Sequence, residues 1–503
     1  MTSRPIPASK TEWHALAASH AYETRMFIDG ALCDAAAGGR YDSVNPATGQ
    51  VIAAMAAGTA EDVDRAVKAA RRAFREGVWS RLPPRARMDV LLRFADLIGA
   101  HAAEFALLDS VEMGKTVSGM LGFDVPSAVA NIRFAAEAID KIEGAVTNTD
   151  PGALHYVLRQ PLGVVGLIVP WNYPMLMACW KLGPALAMGN SVVLKPAQQT
   201  GMSAVLLARL FAEAGGPAGV FSVVNGSGSD AGQALARHMD VDKIGFTGSV
   251  PVGGLMMRYA GESNLKHVTT ECGGKSPQII LADCDLDRAV ENAVHGIYSN
   301  QGEVCAAGSR IMVERSIHDE FLQRFIDRTA ALYQPGDPLD PATSMGPMVD
   351  GRQHRTVCSY IAKGREEGAH LAMGGGAPEG LEDGLYISPT LFTEARNDMT
   401  IAAHEIFGPV GVVLPIRDME HGLELANSSI FGLGASVWTR DLGRAHRFAR
   451  DVESGMVWVN TYFDRDATAP WGGVKQSGNG RDKCLEALHQ YSQTKSVWIH
   501  LGG

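Results

Sequence analysis

A thiol and a carboxylate that could act together stand thirty-four positions apart in this sequence, at Cys305 and Glu271. Small, flexible residues flank Cys305 within 300–310, so a carbonyl substrate and backbone N–H donors can approach its sulfur. A carboxylate such as Glu271 can activate water as a general base. The pair therefore predicts covalent catalysis, although a free cysteine taken alone is more often a buried packing residue.

Composition bounds the class of protein that must position these residues. The chain has 503 residues, which at roughly 100–200 residues per domain predicts two or three domains. It is 46% hydrophobic and 20% charged, as is ordinary for a globular protein. A net charge of −10, without any Lys/Arg-rich run, argues against a nucleic-acid partner.

The cysteines and the apolar segments predict the compartment. Seven cysteines form an odd, irregular set without a CxxC pair or Cys/His metal spacing, which predicts no metal site and a reducing cytoplasm. The N-terminus lacks the pattern of a secretory signal. The longest apolar stretches break well before the ~20 residues that a spanning helix needs, so no membrane association is expected.

The pattern of hydrophobic residues predicts two α/β blocks. Residues 61–144 read as helical, with amphipathic stretches at 61–76 and 87–109 separated by a Leu-Pro-Pro breaker. After about 163, short apolar runs alternate with helical segments, which indicates parallel βαβ units, and a second such series begins after about 274. These runs are 164–169, 191–194, 220–224, 243–246 and 278–281, then 310–313, 410–414, 434–439 and 456–459.

Two further strand-like segments stand apart from these blocks. Residues 153–159 alternate in polarity, and residues 496–501 form a strand-like run near the end of the chain. They could protrude and pair between subunits, or they could be edge strands within one subunit.

A phosphate-binding turn is predicted where residues 246–253 follow an apparent strand and open a helix. Its glycines allow a pyrophosphate to approach the backbone, and the helix N-terminus supplies N–H groups and partial positive charge. The turn is neither the six-residue dinucleotide fingerprint nor a P-loop, so alone it is a weak signal. Upstream, Lys195 and Gln198 end another strand and could bind ribose hydroxyls, unless Lys195 is simply a surface lysine.

Jointly, these pieces occur in an order and spacing that resemble the aldehyde dehydrogenase superfamily over residues 25–500. The motifs are Pro-Trp-Asn at 170–172, Lys-Pro at 195–196, Phe-Thr-Gly-Ser at 246–249, Glu-Cys-Gly-Gly-Lys at 271–275, Gln-Gly-Glu-Val-Cys at 301–305, Glu-Ile-Phe-Gly-Pro at 405–409 and Pro-Trp-Gly-Gly-Val-Lys-Gln-Ser-Gly at 470–478. The resemblance implies an α/β fold with a Rossmann-type NAD(P)-binding domain (1–144 and 162–273). A catalytic domain (274–473) and small β oligomerisation strands (145–161 and 488–503) would complete it, in a homodimer or homotetramer.

The resemblance also implies catalytic roles. Cys305 would attack a small-molecule aldehyde, Asn172 and the Cys305 N–H would hold the oxyanion, and Glu271 would activate the water that hydrolyses the thioester. Members that acylate coenzyme A generally lack this base, so release of a free acid is expected. Lys181 and Asp482 match a proton-relay pair of some members, most of which carry Glu where this chain has Asp482.

NAD or NADP is the cofactor implied. Glu405 would bind the nicotinamide ribose, Phe407 would pack near the nicotinamide ring, and Lys275 would be structural. Gln198 replaces a glutamate common in NAD-preferring relatives, so it removes the repulsion of a 2′-phosphate and predicts use of both cofactors. The other expected cofactor-binding residues are Ile168, Pro170, Trp171, Lys195, Gly228, Gly232, Gly248, Ser249 and Gly253.

For the substrate, the C-terminal run 475–483 resembles γ-glutamyl-γ-aminobutyraldehyde and guanidinobutyraldehyde dehydrogenases of polyamine breakdown. Aromatic faces would attract a substrate cation, and Asp124 or Glu303 would neutralise it, unless the aromatics only pack the core. Arg465 suits a substrate carboxylate, so a carboxylated semialdehyde is an alternative substrate. Broad aliphatic aldehydes are another. The expected substrate-lining residues are Asp124, Tyr173, Met177, Trp180, Glu303, Val304, Arg465 and Trp471.

Two features qualify this interpretation. Trp180 argues against the succinate-semialdehyde subclass, which tends to place arginine there. Glu303 stands two residues before Cys305 and should oppose thiolate formation unless it points into the substrate tunnel. An inactive structural or binding member is a further alternative, against which the presence of Cys305, Glu271 and Asn172 argues.

Overall fold

Three larger sheets, two two-stranded sheets and the helices around them make up the structure, a computed structural model that describes residues 5–463 and 466–502. Most strands of the two large sheets are parallel, as the alternation of strands and helices predicts. The predicted α/β class is confirmed.

The first sheet has eight strands, and its five central strands run parallel. In spatial order its strands are Ala31–Cys33, Met26–Ile28, Phe221–Val223, Ser191–Lys195, Val164–Ile168, Lys243–Gly248, His267–Cys272 and Gly478–Asn479. The chain leaves Val164–Ile168 in one direction and later returns to its other side at Lys243–Gly248. The carboxyl ends of these two neighbours therefore open a crevice, the usual ligand position in such sheets.

The second sheet has seven strands and begins directly after the first ends. In spatial order its strands are His370–Met373, Thr390–Thr393, Val410–Ile416, Arg310–Glu314, Pro277–Ile280, Gly434–Trp438 and Met456–Val459. All neighbours are parallel except the first pair. Only residues 273–276 connect the strand His267–Cys272 to the second sheet, so the two sheets meet at this point.

The third sheet contains the two segments that stand apart in sequence. Its order is Ser492–His500, Ala153–Pro161 and Ala145–Thr147, with antiparallel pairing throughout. Val146, Trp498 and Leu501 are exposed on it. Two-stranded pairs, Arg40–Val44 with Val51–Ala56 and Phe431–Gly432 with Val474–Lys475, complete the strands.

Helices surround the two large sheets. They are Lys10–Ser19, Ala60–Glu76, Pro84–Ala100, Ala102–Met113, Val117–Gly119, Val125–Ala138, Pro174–Ala187, Met202–Glu213, Gln233–Arg237, Val250–Gly261, Leu286–Tyr298, His318–Leu332, Gly351–Glu366, Thr400–Ala403, Met419–Asn427, Leu442–Asp451 and Cys484–Gln490. Within residues 5–463 and 466–502, no helix is long and apolar enough to cross a membrane.

The predicted helix over 87–109 is in fact two helices, broken at His101. The first ends beside Gly99, a poor helix former, and the His101 ring nitrogen Nδ1 lies 2.9 Å from the Leu97 carbonyl. The strands Met26–Ile28 and Ala31–Cys33 were not predicted, because three-residue strands leave almost no alternation to detect.

Asn190 joins the third sheet to the first. Its Oδ1 accepts hydrogen bonds from the N–H groups of Leu162 (2.8 Å) and Gly163 (3.0 Å), just after the strand Ala153–Pro161. Its Nδ2 donates to the carbonyls of Ala185 (3.0 Å) and Tyr491 (2.8 Å), the latter just before the strand Ser492–His500. One fully buried amide thus fixes both long strands of the third sheet.

Asn190→Ala should therefore lower the free energy of unfolding by about 2–4 kcal/mol, since buried backbone groups lose their partners. Urea denaturation measures the change. Asn264→Ala is the matched control, because Asn264 also donates to two carbonyls but is only half-buried, so water can replace it. Equal losses in the two variants would contradict the role assigned to Asn190.

Candidate active site

A cavity of about 390 Å³ opens at the crevice of the first sheet. Cys305, Glu271 and Asn172 all line it, although they come from different elements. The cofactor-binding residues expected from sequence that also line it are Pro170, Trp171, Gly248, Ser249, Glu405 and Phe407. The predicted nucleophile, base and oxyanion donor therefore share one cavity with part of the predicted cofactor site.

Cys305 follows a strained turn rather than a flexible loop. Asn300, Gln301 and Gly302 have φ of 49°, 56° and 70°, so three consecutive residues adopt left-handed backbone. At Gly302 a Cβ would collide with the Gly408 carbonyl, so only glycine fits. The turn is buried and delivers Cys305, itself half-buried, to the cavity wall.

Glu271 is the next-to-last residue of the strand His267–Cys272, beside the junction of the two large sheets, and is almost fully buried. Its Oε1 accepts a hydrogen bond from the Trp471 indole N–H at 3.2 Å. Burial, with a smaller contribution from the Asp482 carboxylate, raises the pKa of Glu271 to about 8. A group with such a pKa can gain and lose a proton near neutral pH, as a general base must.

Asn172 directs its side chain toward the Cys305 segment. Its Nδ2 donates to the Glu303 carbonyl at 2.8 Å, two residues before the thiol. The same side chain lies on the wall of the 390 Å³ cavity. An amide N–H on the wall of the cavity that Cys305 also lines is the kind of donor that an oxyanion formed by attack of Cys305 requires.

Lys181 and Asp482 form a buried ion pair, with 2.7 Å between Nζ and Oδ2. They line a cavity of about 10 Å³ together with Glu271 and Trp471. That volume is close to the space of a single water. The arrangement connects the Glu271 carboxyl to the ion pair through a gap that one water can fill.

The residues at the mouth of the cavity fit a dinucleotide. Ser249 begins the helix Val250–Gly261 as its N-cap, so N–H groups and a positive helix end stand at the wall. Trp171 and Phe407 pack edge to face at 5.2 Å, which gives a ring-shaped ligand an aromatic border. Glu405 accepts a hydrogen bond from the Gly274 N–H, and burial of its carboxyl raises its pKa to about 7.

Other predicted cofactor-binding residues lie along the same sheet edge without lining this cavity. Ile168 and Lys195 are register partners at the ends of neighbouring strands, and Gly232 lies against the Lys195 side chain. Gly228 begins a π-helical turn, Gly228–Gly232, and Gly253 packs on the Cys272 sulfur. Gln198 is exposed and lines a neighbouring cavity of about 340 Å³.

A second cavity, of about 700 Å³, lies beside the turn that delivers Cys305, and Asp124 and Tyr173 line it. Asp124 already has a cationic partner within the chain, because the Lys115 ammonium is 2.5 Å from Asp124 Oδ2. Lys115 also lies 3.3 Å from the Tyr173 ring centroid, so the protein's own cation occupies that aromatic face.

Glu303 does not point into the substrate tunnel. Its Oε1 accepts a hydrogen bond from the Val349 N–H at 3.1 Å, and the side chain is fully buried. Burial raises the pKa of Glu303 well above its ordinary value, which favours the neutral acid. Burial therefore favours a neutral Glu303, which does not oppose formation of the Cys305 thiolate. Its orientation toward a substrate is not the reason.

The tryptophan pair also differs from expectation. Trp180 and Trp471 pack edge to face at 5.3 Å, and the Lys483 ammonium lies 5.1 and 5.6 Å from their ring centroids. A residue of the chain thus supplies the cation that a substrate was expected to bring. Of the remaining predicted residues, Met177 lines the 390 Å³ cavity, Val304 is buried and Arg465 lies outside the described residues.

Lys115, Lys483 and Asn300 are site residues that the sequence interpretation missed. Lys115 follows a helix end at Gly114, and nothing in its local pattern separates it from a surface lysine. Lys483 belongs to the C-terminal motif run but its contact with two tryptophans is a tertiary feature. Asn300 was the only one of the three that the sequence could have revealed, because it is a polar residue directly before the Cys305 motif.

Known proteins match this chain over almost its whole length. The model of the aldehyde dehydrogenase family matches residues 33–497. The NADP/NAD-dependent aldehyde dehydrogenase PuuC of Escherichia coli K12 is 48% identical over 490 residues, which cover 97% of this chain and 98% of the relative.

Solved structures agree. A γ-glutamyl-γ-aminobutyraldehyde dehydrogenase from Burkholderia cenocepacia J2315 superposes with a TM-score of 0.96 at 48% identity, covering 98% of this chain and 100% of the other. An indole-3-acetaldehyde dehydrogenase in complex with NAD⁺ gives a TM-score of 0.97 at 48% identity with the same coverage.

Proposed function

The chain belongs to the aldehyde dehydrogenase family, and we propose that it oxidises an ω-amino, γ-glutamylamino or guanidino aldehyde to the free carboxylic acid through Cys305. The enzyme class, an NAD(P)-dependent aldehyde dehydrogenase, follows from the family and its relatives. The observation that carries the catalytic assignment is the convergence of Cys305, Glu271 and Asn172 on one cavity. This convergence also argues against an inactive structural or binding member.

In the first half-reaction, the Cys305 thiolate adds to the aldehyde carbon and the carbonyl oxygen becomes an oxyanion. The Asn172 amide and the Cys305 backbone N–H stabilise that oxyanion, at about 3–4 kcal/mol for each donor. Bound NAD or NADP supplies a hydride acceptor for the thiohemiacetal carbon, which leaves a thioester on Cys305.

In the second half-reaction, Glu271 takes a proton from the water that attacks this thioester, and the acid leaves as the Cys305 thiolate re-forms. The Lys181–Asp482 pair, next to a gap of one water, would carry the proton away from Glu271. Because Glu271 serves water, the acceptor of the acyl group is water and not coenzyme A.

The cofactor site is proposed to extend from Glu405 and Phe407, at the nicotinamide, to Lys195 and Gln198, at the adenosine ribose. Gln198 carries no charge that would repel a 2′-phosphate, and Lys195 is nearby at the end of its strand. Use of both NAD and NADP is therefore proposed, as the description of PuuC states for that relative.

Among the candidate substrates, the charges favour a γ-glutamylamino aldehyde. Asp124 is paired with Lys115, and Lys483 places a positive charge against the tryptophan pair. A substrate end that is only cationic would meet the Lys483 ammonium, whereas a γ-glutamyl group also carries a carboxylate that this ammonium attracts. The Burkholderia relative acts on such an aldehyde by its description. A carboxylated semialdehyde is the second candidate on the same ground.

Assembly and compartment complete the proposal. The third sheet exposes Val146, Trp498 and Leu501, and a pair of such sheets would bury them in a homodimer or a homotetramer. A reducing cytoplasm is proposed because none of the seven cysteines, all of which lie in the described part of the chain, forms a disulfide. The domain boundaries predicted from sequence are retained in this proposal.

Steady-state kcat/KM over a panel of aldehydes tests the substrate assignment. γ-Glutamylaminobutyraldehyde should exceed aminobutyraldehyde and guanidinobutyraldehyde by about tenfold or more, as one extra charge contact is worth about 1.4 kcal/mol or more. Each assay is run with NAD and with NADP, and the kcat/KM values with the two cofactors should differ by less than about tenfold. Equal kcat/KM values for the charged substrates and for butyraldehyde would refute selection of the γ-glutamyl group.

The pH dependence of deacylation tests the role of Glu271. The base acts when deprotonated and its pKa is raised to about 8, so kcat should rise with pH and level off above about 8. Trp471→Phe removes a hydrogen bond that favours the carboxylate, so the pKa and the rising limb should move to higher pH. Trp458→Phe is the control, since Trp458 packs on Trp471 at 6.4 Å. A limb that stays in place in Trp471→Phe would count against Glu271 as the titrating group.

A further inference from the structure

Lys115 contacts the back of the Asn172–Tyr173 segment, on the side of the 700 Å³ cavity. Its ammonium donates to the Asn172 carbonyl at 3.4 Å and lies 3.3 Å from the Tyr173 ring centroid. It is 2.5 Å from Asp124 Oδ2, and the two side chains are only 5% and 1% exposed. A lysine with so many contacts has lost the freedom of its long side chain, so its position is fixed.

Asn172 is held through both its backbone and its side chain. Its backbone carbonyl accepts hydrogen bonds from Lys115 and from the Asn300 side-chain amide (3.0 Å), and its own side-chain amide donates to the Glu303 backbone carbonyl (2.8 Å). Asn300 Nδ2 also lies 3.2 Å from the Glu303 carbonyl. These contacts form a closed set that connects Lys115 to the segment carrying Cys305.

The backbone places both partners of the ion pair by unusual means. The helix Ala102–Met113 ends at Gly114 with φ of 80°, which turns the chain so that Lys115 points inward. Asp124 ends a π-helical turn, Met120–Asp124, that interrupts the helical region. Such π-turns are uncommon and are frequent at functional sites, which supports a role for the pair beyond packing.

We infer that Lys115 is a positioning residue for the oxyanion-stabilising amide of Asn172, and that Asp124 holds the Lys115 ammonium in place. The inference rests on the proposed function, in which Asn172 donates to the oxyanion. Electrostatic stabilisation depends on donors that are already oriented before the charge develops. Lys115 supplies that orientation by holding the backbone carbonyl of Asn172. The Lys115–Asp124 pair is neutral overall, so it adds little net charge to the site.

The test replaces both members of the pair, Lys115→Met with Asp124→Asn, because removing one alone would leave a buried charge. Butyraldehyde is the substrate, so contacts to a charged distal group do not enter. We expect kcat to fall about 10- to 100-fold, the effect of a donor displaced by about 1 Å, with KM for NAD unchanged. In an Asn172→Ala background the same replacement should cost less than about twofold, because the group it positions is gone.

Two further variants keep the test decisive. Arg71→Met with Asp242→Asn removes another partly buried ion pair, remote from Asn172, and should leave kcat unchanged. Lys115→Arg retains the charge beside Asp124, so it serves if the double variant does not fold. Its smaller loss of kcat should also vanish in the Asn172→Ala background.

The outcomes separate the inference from the proposed function. A loss of equal size in both backgrounds, or no loss in the presence of Asn172, overturns the positioning role of Lys115. Asn172→Ala alone should lower kcat by about 10²–10³-fold. If it does not, the proposed oxyanion role of Asn172 is wrong, and the positioning inference is overturned with it.

Discussion

Burial of the Glu271 carboxyl where the two large sheets meet is the constraint on which the site depends. The strand that ends at Cys272 places Glu271 there, and the connection 273–276 leads at once into the second sheet. Arg310 of the second sheet donates to the Lys275 carbonyl at 2.8 Å and fixes this connection. Because Cys305 precedes the strand that begins with Arg310, the same junction brings thiol and carboxyl together. Desolvation there gives Glu271 a pKa suited to proton transfer.

A site built in so dry a place must neutralise its other charges, and this explains how the surroundings are arranged. Lys181 is paired with Asp482 and Lys115 with Asp124, while Lys483 lies against two tryptophan rings. Each pairing limits the cost of a buried charge. The same pairings limit the net charge that these residues present to a substrate.

The sequence was informative where function depends on local motifs and failed where it depends on partners distant in the chain. The parallel strands, the turn at Gly248 and Ser249, and the convergence of Cys305, Glu271 and Asn172 were predictable, because short patterns in a fixed order specify them. The orientation of Glu303 and the partner of Asp124 were not predictable. Their partners, Val349 and Lys115, belong to other segments of the chain and are brought close only by the fold. Tyr173 and Trp471 each line a cavity near the site, but Lys115 and Lys483 lie against their rings.

The central claim, a Cys305 thioester that Glu271 hydrolyses, is tested most directly in a Glu271→Gln variant mixed with NAD and excess aldehyde. Stopped-flow absorbance and intact-protein mass spectrometry follow the hydride and the acyl group. We expect a burst of up to one NADH per subunit, then almost no turnover, with the acyl mass retained on the peptide that contains Cys305. Sustained turnover, or a burst without an adduct on Cys305, would contradict it.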